Sequence, residues 1–217
     1  MKHLLVILSI IAASGCSILG APTDPSTVYL LNAAPCAPAD QAERGTRGLV
    51  IREVTAPQHL ATRRIAWTDG VTVNYYQLAM WAEQPASALT EALVQSAECS
   101  GIFRNVTARP AGISADYALS AGLIRFEHEV TAGNSAAIVT LRAELADLRS
   151  RTLSASKLFS ARVDTGSSDS AGAVRALTEA SWKIGTELNE WLREQLNESQ
   201  SDKAARIEVS PPERSGR

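Results

Sequence analysis

Three consecutive stretches in which polar and apolar residues alternate, 117–129, 136–148 and 152–163, constrain the fold of this chain more than any other feature. Leu141-Arg142-Ala143-Glu144-Leu145 shows the pattern at its clearest. Successive side chains of a β-strand point to opposite faces, so a period of two buries one face and leaves the other wet. Gly133-Asn134 marks a turn between the first two stretches, and Ser150 with its neighbours marks one between the second and third. The three are expected to form an antiparallel meander.

Shorter apolar runs precede the meander. Residues 28–31 and 49–54 read as strands, the second ended by Pro57. Residues 64–67 and 71–76 flank Thr68-Asp69-Gly70. Asp-Gly between two strand-like runs predicts a hairpin, because glycine accepts the positive φ that the turn requires. Residues 33–46 form a loop rich in Pro, Ala and Gly, and 102–107 is strand-like. A first helix opens at Pro85-Ala86-Ser87, with Ser87 as the expected cap and Glu91 favouring the helix dipole. Its apolar face is Leu89, Leu93, Val94 and Ala97, and Gly101 stops it.

A longer helix is expected from Ala171 to about residue 197, behind a polar loop at 165–170 that ends in a capping residue. Val174, Leu177, Ser181, Ile184, Leu188 and Trp191 recur at threes and fours, which lays one stripe on the sheet. Residues 198–217 are polar, contain a Pro pair and have no apolar period, so they read as a disordered tail. The expected architecture is one α+β domain over residues 27–197, a mostly antiparallel sheet with two helices packed on it.

The N-terminus says where the chain works. Lys2 and His3 precede an apolar run from Leu4 to Ala12, and Ala13-Ser14-Gly15 leads into Cys16. These are the charged, apolar and small-residue zones of a secretory signal peptide, residues 1–15. The apolar stretch falls short of the ~20 residues of a spanning helix. Its ending resembles the lipobox of bacterial lipoproteins, which implies cleavage before Cys16 and acylation of that residue. Several acyl chains, at ~0.8 kcal/mol per buried CH₂, anchor a protein stably where one would be marginal. Residues 16–26, with Gly20, Pro22 and Pro25, then serve as a flexible, lipidated tether.

Composition narrows the function. Lys and Arg number 21 against 23 Asp and Glu, a balance that gives no electrostatic case for nucleic acid and no basic patch for anionic headgroups. Hydrophobic content of 45% suits a single sizeable core. Cys36 and Cys99 remain once Cys16 is acylated. In a compartment outside the cytosol they form either a disulfide, closing a loop of roughly 60 residues worth about 4 kcal/mol in the chain-entropy model, or two buried thiols.

Chemistry-bearing patterns are sparse. His59 lies in a polar connection and His128 reads as a polar residue at a strand edge. His128 with Asp116 and a serine would make a hydrolase, but no nucleophile-elbow pattern accompanies them. Cys36, Cys99, His59 and His128 include no close pair at metal-ligand spacing, and no glycine loop cradles phosphate. No catalytic residue, metal or cofactor is expected. Tyr75-Tyr76-Gln77-Leu78-Ala79-Met80-Trp81 crowds aromatic and apolar residues ahead of the first helix. They either fill the core or present Tyr75, Tyr76 and Trp81 as a docking surface.

Taken together, these features resemble the ABC-type transport auxiliary lipoprotein family, which includes the PqiC-type lipoproteins. The resemblance rests on the lipobox at Cys16, Tyr29-Leu30-Leu31 opening the domain, and the strand from Val50 that ends in Pro57. It also rests on Trp81-Ala82-Glu83-Gln84-Pro85 leading into a helix, Phe126-Glu127 in the middle strands, and the long C-terminal helix. Gln84, Cys36 and Cys99 depart from the commoner pattern. The resemblance implies a non-enzymatic auxiliary subunit of an Mce-type ABC system that carries lipids or hydrophobic solutes between inner and outer membranes. It implies an Mce-type substrate-binding partner and homo-oligomers in some relatives. Ser17, where aspartate would retain a lipoprotein at the inner membrane, agrees with the periplasmic face of the outer membrane. The alternative functions are a lipid-binding module, holding its ligand between sheet and helices, and a lipoprotein hydrolase.

Overall fold

The computed structural model describes residues 26–37, 39–40, 44–108 and 115–209. Residues 1–15 and Cys16, expected as signal peptide and acylation site, and all of the expected tether but Ser26 lie outside the described residues. Eight strands and two helices follow in the order β1 (Thr27–Tyr29), β2 (Gly48–Ile51), β3 (Arg64–Thr68), β4 (Val73–Trp81), α1 (Pro85–Cys99), β5 (Asn105–Thr107), β6 (Tyr117–Thr131), β7 (Asn134–Asp147), β8 (Thr152–Asp164) and α2 (Ser170–Val209).

The alternating stretches make the antiparallel meander. β6 pairs with β7 from Tyr117↔Asp147 to Thr131↔Asn134, and β7 pairs with β8 from Ala136↔Asp164 to Asp147↔Thr152. Gly133, at φ 80°, turns the first hairpin. Asp147 organises the second, its Oδ1 accepting from the backbone N–H of Arg149 at 2.8 Å and of Ser150 at 3.0 Å. The inward positions Leu119, Phe126, Val139, Leu141, Leu145 and Phe159 are buried. Against them lies α2, whose stripe of Val174, Leu177, Ser181, Ile184, Leu188 and Trp191 is buried along its whole length. Phe159 meets Trp191 edge to face, with ring centroids 5.7 Å apart.

The sheet as a whole is mixed, which corrects the expectation of a mostly antiparallel one. Four of its seven pairings among the described residues, β1–β4, β2–β5, β2–β6 and β3–β6, are parallel. Two of these four arise from the length of β6. At 15 residues it accepts β7 along one edge and two short strands end to end along the other. β2 lies beside its start, Leu49↔Tyr117, and β3 beside its end, Trp67↔His128. Between them Thr55 bridges to Gly122. A strand of three to five residues carries a burial period but no mark of direction.

Local boundaries also differ from expectation. β4 runs on to Trp81, so the aromatic stretch belongs to a strand. α1 begins after Gln84 with no side-chain cap, and Ser87 is a helix residue. Pro85 at the first helical position needs no N–H partner there. The expected hairpin is present between β3 and β4. Asp69 accepts from the N–H of Val71 and Thr72 and from the Thr72 hydroxyl, and these bonds hold its carboxyl at about 2. Asp169 caps α2, accepting from Gly172 N–H at 2.7 Å. α2 continues to Val209, so residues 198–209 are helix rather than disordered tail; 210–217 lie outside the described residues.

The segment after β1 crosses both helices. Trp182 donates its indole N–H to the carbonyl of Asn32 at 2.8 Å, and Cys36 is bonded to Cys99 at the end of α1. α1 and α2 approach where Asn189 donates to the Ser96 hydroxyl at 2.9 Å. A Cβ on Gly185 would come within 3.2 Å of that hydroxyl.

Candidate functional site

His128 is the one fully buried imidazole among the described residues, not the strand-edge group its sequence setting suggests. Three segments converge on it. Its Nδ1 lies 2.6 Å from the Tyr76 hydroxyl of β4, and its Nε2 lies 2.7 Å from the Ser135 hydroxyl of β7. Ser135 in turn lies 2.7 Å from Thr165 Oγ1, in the loop ahead of α2.

The shortest contacts give one self-consistent set of directions, with the Ser168 carbonyl 3.1 Å from the Tyr76 hydroxyl and the Ser167 carbonyl 3.3 Å from the Ser135 hydroxyl as longer competing acceptors. Thr165 Oγ1 is 2.6 Å from the carbonyl oxygen of Ser167, which can only accept, so Thr165 donates there. Ser135 is then the donor to Thr165 and has no proton left for the ring. Nε2 therefore carries the hydrogen and donates to Ser135, and Nδ1 accepts from Tyr76. A serine awaiting activation would give its proton to an imidazole lone pair. This pair is wired the opposite way, as a strut from β4 to the cap of α2.

Burial holds His128 below the ordinary histidine value, with the Asp169 carboxylate pulling the other way. Burial, with the Asp169 charge adding, pushes Tyr76 up to about 12. An unfolded histidine takes up its proton near pH ~6.5, and the folded ring does so only at lower pH. The unfolded state thus binds more protons in that window. The contribution of His128 is complete above about pH 6.5 and is lost as pH falls through the lower folded value. Thermal melts of the wild type will decline across this range, and His128→Gln will flatten that part of the profile. A decline of the same slope in the variant would assign it to other groups.

Asp116 is not part of this cluster. Its Oδ2 accepts from Gly48 N–H at 2.9 Å and its Oδ1 pairs with Arg149 at 2.9 Å. It precedes β6, whereas His128 lies twelve residues on, roughly 40 Å along an extended strand. His59 is exposed, and its carbonyl accepts from the Tyr75 hydroxyl at 2.9 Å. Among the described residues no three His, Cys, Asp or Glu side chains gather as a metal site.

The aromatic trio divides between core and surface. Trp81 is 1% exposed and packs on Phe126 at 5.7 Å, so it offers no docking surface. Tyr76 is half-buried with its hydroxyl in the His128 cluster. Tyr75 is also half-buried, with the Arg64 guanidinium 4.1 Å over its ring. The exposed apolar residues of this region are others: Val28, Leu30, Val71, Val73 and Leu78. Val28 and Leu30 flank Tyr29 in the first edge strand, an apolar run without polar alternation. That signal could have marked them. Beside this strand a groove runs between Leu30–Ala33 and α1, floored by Trp81 and Ala88.

No described helix is long and apolar enough to cross a membrane. The fold has known counterparts. The crystal structure of protein XCC0632 from Xanthomonas campestris superposes with a TM-score of 0.70 at 24% identity, covering 81% of this chain and 99% of that one. A second crystal structure, of an uncharacterized protein, gives a TM-score of 0.62 at 16% identity, covering 78% of this chain and 99% of the other. No curated protein matches. The family model of the ABC-type transport auxiliary lipoprotein component matches residues 29–189, from the end of β1 to well along α2. A match spanning the sheet, both helices and the His128 cluster makes this chain a member of the ABC-type transport auxiliary lipoprotein family.

Proposed function

We propose that the protein is a non-enzymatic, membrane-anchored subunit of an Mce-type ABC transport system that moves lipids or hydrophobic solutes between the inner and outer membranes. Family membership over residues 29–189 is the observation that carries this reading. In it, residues 1–15 are removed, Cys16 carries the acyl chains, and the domain stands at the periplasmic face of the outer membrane. Ser17 after the acylated cysteine supports that side. The proton wiring of His128 supports a structural cluster over a catalytic one. The space between sheet and helices, where a lipid-binding module would hold its ligand, is filled by Phe126, Phe159, Leu177 and Trp191.

Two measurements test the reading. Crosslinking in intact cells and purification of the chain will bring down an Mce-type protein; repeated recovery without one would refute the transport role. Metabolic labelling with palmitate will mark the wild type, and Cys16→Ser will lose the label and leave the membrane fraction. Self-association, which the family resemblance implies, is read by sedimentation of the detergent-solubilised chain.

A further inference from the structure

Among the described residues nine large apolar side chains stand exposed, and five of them come from two adjoining segments. Val28 and Leu30 lie on and just after β1; Val71, Val73 and Leu78 lie in the β3–β4 turn and β4. Val71 is 91% exposed at the hairpin tip. An apolar side chain so placed gains nothing from the fold, and grouped patches of this kind mark contact surfaces.

Register places this group relative to the incoming chain. β1 runs parallel to β4, with Thr27 beside Ala79 and Val28 beside Met80. The chain therefore enters β1 from the end of β4 that leads back through Leu78 and Val73 to the Asp69–Thr72 turn. Eleven residue steps separate Cys16 from Thr27, which span at most about 40 Å. The hairpin tip reaches on the order of 20–25 Å in that same direction, at about 3.3 Å per residue. Acyl chains on Cys16 thus bring this end of the domain, which the β3–β4 tip shares with the β6–β7 turn through Thr68↔Glu129, within reach of the bilayer, and the large exposed apolar side chains at that end belong to the β3–β4 tip.

Arg63 and Arg64 are exposed at the start of β3, Arg63 Nη2 lying 3.6 Å from the Met80 sulfur and Arg64 over the Tyr75 ring, so these cations flank Met80 and Val28 at the base of the hairpin. Asp69, the anion at the tip, has its carboxylate engaged by Val71, Thr72 and the Thr72 hydroxyl.

We infer that the β3–β4 hairpin tip, led by Val71 with Leu78 and Val28 behind it, rests on the lipid bilayer that holds the Cys16 acyl chains. The inference rests on the acylation of Cys16 proposed above. It fixes which end of the domain faces the membrane, and so leaves the opposite end, where β2, β5 and the start of β6 lie, for machinery farther out.

The test uses the full-length acylated protein in vesicles of phosphatidylethanolamine and phosphatidylglycerol. With Cys16 acylated and Cys36 bonded to Cys99, a cysteine introduced by Val71→Cys is the single reactive thiol and takes an environment-sensitive fluorophore. Leu158→Cys on β8, also exposed, is the control. The label at 71 will shift to the blue and lose most of its emission to nitroxide-bearing lipids, and the label at 158 will do neither. A protein that floats with the vesicles while position 71 stays as wet and unquenched as position 158 refutes the inference alone. A blue shift at 71 without nitroxide quenching shows that protein covers the tip, and refutes it equally. A chain that does not float removes the anchor and the inference with it.

Discussion

Trp81→Ala lowers the unfolding free energy by about 3–5 kcal/mol, the usual cost of removing a large buried aromatic ring. Trp81 ends β4, is 1% exposed and packs against Phe126 of β6. It stands where the sheet meets the first turns of α1, beside buried Ala79 and Ala86. A close-packed core relaxes only partly into the space an indole leaves, so the cavity term adds to the lost transfer energy. A domain of this size has about 5–15 kcal/mol in all, so the variant will unfold at a markedly lower urea midpoint. On the acylation of Cys16 proposed above, its vesicle flotation will be that of the wild type, because Cys16 precedes the domain. A variant of unchanged midpoint that lost a partner would make Trp81 a contact residue after all, against its burial. Tyr75→Ala, at the half-buried outer position, will cost far less stability.

How far the sequence foretold this fold differs from element to element. The meander and the stripe of α2 were legible because 13 to 15 residues of strand, and five turns of helix, repeat their period often enough to be unambiguous. Asp69-Gly70 named its own hairpin through turn chemistry. The direction of β1, β2 and β5, and of β3 relative to β6, was not legible. Parallel or antiparallel pairing of so short a strand is decided by which edge is free to receive it, that of β4 for β1, of β2 for β5 and of β6 for β2 and β3, a tertiary fact. The last turns of α2 were missed for a related reason. Leu196 is the last of the described residues to be buried in the core, and the sequence beyond it has no apolar stripe to announce a helix.

The His128 cluster shows the same limit at the level of a site. Tyr76, the His128–Ser135 hairpin pair and Thr165 lie far apart in sequence, and each is unremarkable in its own segment. Register unites them: β3 brings Trp67 beside His128, β3 pairs with β4, and the β6–β7 hairpin sets Ser135 opposite Val130. A buried imidazole with both nitrogens satisfied then costs little, whereas one lacking either partner would be costly. Counting left Cys36 and Cys99 either as a disulfide or as two buried thiols, and the fold decides for the bridge by bringing the segment after β1 to the end of α1.

That bond carries the second large effect. Cys36→Ser with Cys99→Ser will destabilise the domain by about 4 kcal/mol, because the bridge spans 63 residues of chain and denies the unfolded state the conformations that loop would explore. For a domain of this length the melting temperature should fall by roughly 8–16 °C. The loss is not spread evenly. The segment from Leu30 to Cys36 has no strand partner of its own, and is held over the helices by the bridge and by the bond from Trp182 to Asn32. Backbone hydrogen exchange will therefore quicken first there and in the last turn of α1, while β6, β7 and the middle of α2 keep their protection. Reducing the wild type reproduces the drop, and reducing the double variant adds nothing. Two thiols alkylatable in the unreduced, folded wild type would overturn the bridge and the stability assigned to it.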